Sequence, residues 1–338
     1  MEENEKNINN KNVEFKKKKM NKKLKVFLTF MLYEIIFIPI LSIILIFHGP
    51  FTNIRDMIVT TAMTTMRHQY FATWFLSQDQ INQILAKNRP QEQIADQDVN
   101  DINIDGSKKD DDVQLVDVSN NSFKGYMLVI SDPSRVKLVT ASKLGTVGST
   151  LSQIISYYGA VAGINAGGFA DDALGTGGKP DGIVIEDGKL QYSVGKKNSY
   201  SIVGLDNKNR LIVSNSMTYA TMQQENLRCA VSFGPTIIIN GKPTIKSGTG
   251  GWGIQPRTAI AQKKDGTILM LVIDGRQKGS IGATLKNVQD IFLKYGAYNA
   301  FNLDGGASST MYYGGKIVNN PSDILGERYI PTAFIVTK

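Results

Sequence analysis

The chain is poor in the residues that most often carry catalysis. It has one cysteine, two histidines and two tryptophans in 338 residues. Cys229 alone excludes an intramolecular disulfide framework and a cysteine zinc cluster. It lies in the apolar run Cys229-Ala-Val-Ser-Phe233 and reads as a small core residue. The histidines are His48 and His68, and none follows position 68. Chemistry in the C-terminal two thirds therefore cannot use a Ser-His-Asp triad, a Cys-His pair or a histidine-rich metal site within one chain. Charged residues make up 20% and hydrophobic ones 42%, so the chain as a whole is not disordered and can bury a core. Its length allows one large or two modest folded units. Thirty-two glycines point to a turn-rich, sheet-containing fold.

The net charge of +8 is unevenly placed. Residues 1–25 hold nine lysines and four glutamates, a local +5, which leaves +3 for the other 313 residues. The excess is mostly a tail, so a nucleic-acid partner is not expected. Val26 to Phe47 is a nearly continuous apolar run, broken by Glu34 and Pro39. Twenty-two helical residues span about 33 Å, enough for a hydrocarbon core of about 30 Å. The run exceeds a usual signal-peptide core, and His48-Gly-Pro-Phe51 offers no clear cleavage site. An uncleaved anchor is expected, with the lysine-rich tail in the cytoplasm and the rest outside.

Five segments follow: a cytoplasmic tail (1–25), a transmembrane helix (26–47), a juxtamembrane helical stalk (48–87), an acidic polar linker (88–112) and a domain (113–338). Ile54, Met57 and Ile58, then Phe71, Trp74 and Phe75, fall at helical spacing in the stalk. In the linker, Asp101, Asn103, Asp105, Gly106 and Asp112 mimic a calcium loop. Asp112 stands where a bidentate glutamate belongs, Lys108 replaces an apolar residue, and no helix pair flanks the loop. A solvated acidic linker is the better reading.

From Val113 onward, short apolar runs alternate with turn signals. Asp187-Gly188, Asn240-Gly241, Asp265-Gly266 and Gly314-Gly315 predict hairpins. Tyr126–Ile130 and Val136–Val139 predict strands. Helices are predicted after Thr150, burying Leu151, Ile154, Ile155 and Tyr158, and after Thr284, burying Leu285, Val288, Ile291, Phe292 and Tyr295. The fold class is α+β: a hairpin-rich mixed sheet with a few packed helices, preceded by a transmembrane helix.

Two Asp-Gly pairs are not simple turns. Asp274-Gly275-Arg276 follows the most apolar strand and leads into a loop and helix. Asp304-Gly305-Gly306-Ala-Ser308-Ser309-Thr310 follows the next strand. If those two strands are parallel, both aspartates emerge at one sheet end, where ligands usually bind. Asn165 with Gly167-Gly168 ends another strand, with Asp171-Asp172 beyond it, and Arg257 and Arg328 complete the polar set. Arginine suits a phosphate diester because its donors form a fixed fork.

These residues resemble the phosphodiester glycosidase family. The resemblance is carried by Asn165-Ala-Gly-Gly-Phe169, Arg257-Thr-Ala-Ile-Ala261, Val272-Ile-Asp-Gly-Arg276 and Gly282-Ala-Thr-Leu285. Asn302-Leu-Asp-Gly-Gly-Ala-Ser-Ser-Thr-Met311, Asn319-Asn-Pro-Ser-Asp323 and Glu327-Arg328 extend it, all in family order over residues 113–338. Ala307 departs from a frequent third glycine. The anchor and Gly49–Asp56 look like the membrane-bound Gram-positive branch, whose members are often labelled exopolysaccharide biosynthesis. The resemblance implies hydrolysis of a sugar-1-phosphodiester. Asp304 and Asp274 would supply the carboxylates, with Arg276 in the catalytic group. Arg257, Ser308, Ser309 and Thr310 would join Arg276 on the phosphate. Asn165, Gly167 and Gly168 would bind the sugar. Asn302, Gly305, Gly306 and Arg328 complete the substrate-binding set. The cofactor is left open: the sequence itself requires none, and a divalent cation belongs to an alternative in which attack falls on phosphorus. A glycan-binding or assembly module without turnover is the other alternative. The expected partners are a glycan or glycosyl-phosphate substrate, the membrane and envelope-polymer biosynthesis proteins.

Overall fold

The computed structural model describes residues 21–65, 68–90, 97–104, 113–170 and 175–338. It divides into two compact units, Met1–Thr52 and Asn53–Lys338. In the first, α1 (Lys22–His48) contains the expected span 26–47. It starts at Asn21, whose side chain accepts from Lys23 N, and it carries Pro39 internally. By length and composition it can cross a membrane.

In the second unit, the expected 52–87 helix is three pieces: α2 (Thr52–Met63), α3 (Tyr70–Thr73) and α4 (Gln78–Asn88). Ser77 caps α4 through a reciprocal box with Gln80, a start signal that ends any continuous helix there. The strands and helices that follow are β1 (Val113–Asp117), β2 (Gly125–Ile130), β3 (Val136–Thr140), α5 (Leu151–Tyr158) and β4 (Ala162–Asn165). Next come β5 (Ile183–Glu186), β6 (Lys189–Ser193), β7 (Ser199–Asp206), β8 (Leu211–Thr218), α6 (Tyr219–Gln224) and β9 (Leu227–Ser232). Then follow β10 (Thr236–Ile239), β11 (Lys242–Pro243), β12 (Arg257–Lys263), β13 (Ile268–Ile273) and α7 (Leu285–Lys294). The chain closes with β14 (Ala297–Leu303), β15 (Met311–Tyr313), β16 (Lys316–Ile317) and β17 (Thr332–Val336).

Three antiparallel sheets form, in the orders β1-β2-β13-β12-β14-β10-β11, β16-β15-β4-β17-β3 and β6-β5-β9-β7-β8. All four expected hairpins are present. The predicted strands β2 and β3, consecutive in the chain, go to different sheets. One core joins all three sheets, with Met270 and Phe301 from the first, Ile164 and Phe334 from the second, and Val203 and Val231 from the third. Each outer face is then covered by a helix: α7 on the first, α5 on the second and α6 on the third. β13 shows why its sequence lacks polar alternation. Ile268, Met270 and Val272 face the shared core, while Leu269, Leu271 and Ile273 face the α7 side. Both faces are dry, so period two is present without a polar phase.

Capping boxes at Thr150–Gln153 and Thr284–Asn287 start α5 and α7. Ile291 and Tyr295 are half-buried. Tyr158 is not in the core as expected; it is exposed, and its hydroxyl donates to Thr140 O at 3.1 Å. A tyrosine on the last turn can reach a strand-end carbonyl only by keeping its tip at the surface. The linker also differs at 97–104, which packs on the domain. Gln97 exchanges hydrogen bonds with Leu211 O and Val213 N, and Ile102 is buried. Asp101 of the calcium-like loop accepts from Lys264 at 2.7 Å and from the Tyr298 hydroxyl at 3.0 Å. The remainder of that loop, 105–112, lies outside the described residues, as do Asp171 and Asp172.

Phe301→Ala should lower stability by about 3–5 kcal/mol, because Phe301 is fully buried where the sheets meet. Chemical denaturation of the full chain in detergent measures this; a loss below 1 kcal/mol (about the cost of a surface change) would mean the core does not close there.

Candidate functional site

β12 pairs antiparallel with both β13 and β14, so those two strands run in the same direction with β12 between them. The expected parallel relation of the two Asp-Gly strands therefore exists, but they are not hydrogen-bonded neighbours. Arg257 pairs with Ile273, and Thr258 with Leu303. The start of β12 and the ends of β13 and β14 thus share one edge, and Asp274, Arg257 and Asp304 leave from it. Two strand spacings put the β13 and β14 ends about 10 Å apart.

Asp304 is half-buried, and its backbone is clamped by β4. Its N–H donates to Ala166 O at 3.0 Å, and its carbonyl accepts from Asn165 Nδ2 at 2.6 Å. Asn165 Oδ1 accepts from the Thr258 hydroxyl at 2.8 Å and from Thr310 N at 3.1 Å. Asn165 is buried, so as placed here it ties β4, β12 and the 304–310 loop together beneath the crevice. Gly305 and Gly306 follow closely. A Cβ on Gly305 would stand 2.8 Å from Pro256 O, and Gly306 N donates to that same carbonyl. Only glycine allows this approach of 305 to the start of β12.

Asp274 is 4% exposed. Oδ1 accepts from Asn319 Nδ2 at 2.9 Å and Asn320 N at 3.0 Å, and Oδ2 from Asn320 N at 3.1 Å. Desolvation pushes its pKa up, against the pull of those donors. Asn319 is a junction. Its Nδ2 also donates to Ser309 O at 3.0 Å, and its Oδ1 accepts from Met311 N at 2.8 Å.

Two arginines stand beside the aspartates. Arg257 is 2% exposed, and every hydrogen bond from its guanidinium ends on a backbone carbonyl: Ala283 O at 2.9 Å, Trp252 O at 2.9 Å and Gly253 O at 2.6 Å. Desolvation, then repulsion from Arg276, pushes its pKa down to about 9, so it stays charged at neutral pH. Arg276 is open to solvent on one side, yet the protein around it also draws its pKa down. Its backbone is left-handed at φ 60°, which is uncommon outside glycine and clusters at functional sites. Its Nε donates to Gln255 Oε1 at 3.1 Å, its second guanidinium nitrogen donates to the same oxygen, and the fork lies over Gly306.

The other expected residues are distributed around this centre. Ser308, Ser309 and Thr310 are buried in the loop after Asp304, and Ser309 Oγ has no hydrogen-bond partner among the described residues. Gly167 and Gly168 are buried against Val231 and Phe233, and their N–H groups donate to Thr332 Oγ1 and Ser232 O. Asn302 is buried below the edge and donates to Gly234 O at 2.8 Å. Arg328 lies over the Phe169 ring at 4.9 Å, on a loop fixed by Glu327 to Ser152. Gln255, Asn319 and Asn320 join the site from outside the expected set. Asn319-Asn320 lies within the motif Asn319-Asn-Pro-Ser-Asp323, whereas Gln255 carries no sequence signal. Among the described residues no group of three or more His, Cys, Asp or Glu is placed to hold a metal ion.

A family model described as phosphodiester glycosidase matches residues 158–337, more than half of the chain. The SPbeta prophage-derived uncharacterized protein YomE of Bacillus subtilis (strain 168) is 30% identical over 204 residues, which is 58% of this chain and 31% of YomE. The N-acetylglucosamine-1-phosphodiester alpha-N-acetylglucosaminidase of Bos taurus is 37% identical over 70 residues, 21% of this chain and 13% of that enzyme. The matches thus span less than a third of the length of these curated relatives. The catalytic domain of the zebrafish enzyme of the same name, auto-inhibited by its pro-peptide, superposes with a TM-score of 0.54 at 22% identity. That match covers 67% of this chain and 82% of the zebrafish domain, and it shows a shared fold.

Asp274 gives a stability prediction whose sign follows from its raised pKa. The folded state holds this proton more tightly than the unfolded chain. Wild-type stability is therefore lost as pH rises from about 3.9 through the raised value, and the loss is constant above it. Asp274→Asn removes that loss. Its stability relative to wild type should grow with pH over this window and then level off, read as denaturation midpoints at stepped pH. A difference that ignores pH would show that Asp274 is not desolvated.

Proposed function

The chain belongs to the phosphodiester glycosidase family, and on that premise we propose that it hydrolyses a sugar-1-phosphodiester in an extracellular cell-wall or exopolysaccharide glycan. The observation that carries this reading is the gathering of Arg257 and Arg276 with Asp304 and Asp274 at one strand edge. Arg257 is buried, and its guanidinium bonds among the described residues end on carbonyls and not on a carboxylate, so the edge favours an added anion. A phosphodiester provides one charge with two acceptor oxygens for the arginine forks.

Water adds to the anomeric carbon as the bond from that carbon to the phosphate oxygen breaks. The products are a free sugar and a phosphate monoester. The leaving phosphate is already weakly basic, so protonation matters less than in ordinary glycosides. Charge must instead be held where it accumulates, which is the role assigned to Arg276 and Arg257. Asp304, half-buried and fixed at both its backbone N–H and its carbonyl, is the carboxylate that reaches the sugar. It activates water or steadies the oxocarbenium carbon. Asp274, deeper and bonded by Asn319 and Asn320, holds the far wall together with the Ser309 loop. Phe233 and Trp252, half-buried and 5.5 Å apart, supply an apolar face for the sugar ring. The α1 helix anchors the enzyme in the membrane, with the lysine-rich end inside and the site outside.

Asp304→Asn should abolish sugar release from glycosyl-1-phosphodiesters while leaving the thermal midpoint within a few degrees. In oxygen-18 water the wild-type label should enter the sugar. Label in the phosphate would move the reaction to phosphorus, and turnover retained in Asp304→Asn would remove the aspartate from its role.

A further inference from the structure

α2, the helix that follows the candidate membrane span, packs on the loop that holds both site arginines. Thr60 and Thr61 lie in its last turn, and Thr64 is the residue just after its end. Each hydroxyl donates backward to a carbonyl of its own helix: Thr60 to Asp56 O at 2.8 Å, Thr61 to Met57 O at 2.7 Å, and Thr64 to Thr61 O at 2.9 Å and Thr60 O at 3.0 Å. A hydroxyl has one hydrogen and two lone pairs, so each of these oxygens can accept from the loop whichever carbonyl takes its hydrogen. The row of threonine oxygens faces residues 249–255, where Thr60 Oγ1 lies 3.4 Å from Thr249 Oγ1 and Thr64 Oγ1 also comes within 3.4 Å of Trp252 O.

Two relays run from that row. Thr61 Oγ1 accepts from Ile254 N at 3.0 Å. The carbonyl of the same peptide unit, Gly253 O, accepts from Arg257 at 2.6 Å. One peptide plane is thus held by a threonine on one side and the buried arginine on the other. Gly253 has φ 55°, and a Cβ there would come within 2.4 Å of Thr61 backbone, so helix and loop meet with no space between them. In the second relay, Thr64 Oγ1 accepts from Gln255 Nε2 at 3.3 Å. This fixes which way the amide faces, leaving Gln255 Oε1 to receive both bonds from Arg276. Were the amide reversed, its NH2 would face a cation. The row is braced from below: the buried Asp56 accepts from Lys87 at 2.9 Å and Asn88 at 3.4 Å, and Asn88 Oδ1 accepts from Thr249 N.

We infer that Thr61 and Thr64 of the juxtamembrane helix are positioning residues for the phosphate-binding arginines, acting through the 253–254 peptide and the Gln255 amide. This rests on the proposed role of Arg276 and Arg257, so its test carries a readout independent of turnover. In the full chain in detergent, the nitrogen-15 Arg276 Nε–H resonance is assigned by its loss in Arg276→Lys. Thr64→Val should shift that resonance and raise KM for N-acetylglucosaminyl- and glucosyl-1-phosphomethyl diesters at least tenfold. Thr64→Ser, which keeps the hydroxyl, should restore both. If Thr64→Val leaves resonance and KM unchanged while Arg276→Lys is impaired, the relay is wrong and the site assignment stands. If Arg276→Lys turns over normally, the assignment falls, and the resonance alone decides the relay. Should Thr64→Val fail to fold, Thr61→Val read at the Arg257 Nε–H serves in the same way.

Discussion

β12 lies between two strands that both run opposite to it, and the arrangement of the site follows from that interposition. A direct β13–β14 pair would bring the aspartates nearer each other and leave no place for a residue between them. With β12 inserted, the place between the strand ends goes to the first residue of the middle strand, Arg257. The α7 crossover, which packs Leu285, Val288 and Phe292 on the outer face, lets β14 return in the direction of β13. Close passage of Gly275 and Gly305 past Pro256 then lets three chain segments share one edge. A side chain at either position would force them apart.

The electrostatics of that edge are lopsided. Among the described residues, Arg257 is bonded by carbonyl dipoles and Arg276 by the side-chain oxygen of Gln255. Asp274, by contrast, is held by donors from two asparagines. Arg257, Arg276 and Asp274 thus each have neutral escorts in these bonds. Dipoles fixed in advance need no reorganisation when charge develops on a bound group, and they leave the ions available to it. The cost is a buried cation: desolvation, and then repulsion from Arg276, depress the pKa of Arg257.

Much of the frame could be read from the sequence because local rules agree with the fold. Asp187-Gly188 and Asn240-Gly241 adopt the positive-φ pairs that two-residue hairpins demand, and Thr150 and Thr284 cap helices as their spacing predicts. Asp274 and Asp304 stood out because their glycines had no hairpin to make. Non-local contacts carry no such signal. Asn165 ends a strand, and its amide bonds to Asp304, Thr258 and Thr310, which are distant in sequence. The threonines of α2 carry no pattern beyond helix, since their meaning depends on a loop almost two hundred residues away. For the same reason the polar segment 97–104 read as linker: its glutamine and aspartate find partners only at strand edges elsewhere in the domain.

The last strand, β17, does not sit at a sheet edge. It lies between β3 and β4, pairing with both, and Arg135 reaches Thr337 O across 202 positions of chain. In a chain made from its N-terminus, β3 and β4 have no common partner until residues 332–336 emerge. Until then two mainly apolar strands of the second sheet present open edges, and the shared core lacks Phe334 and Val336. Closure of the domain is thus a late, long-loop event with a high entropic barrier. The interval before it is when the nascent chain is most exposed to misassociation and to proteases.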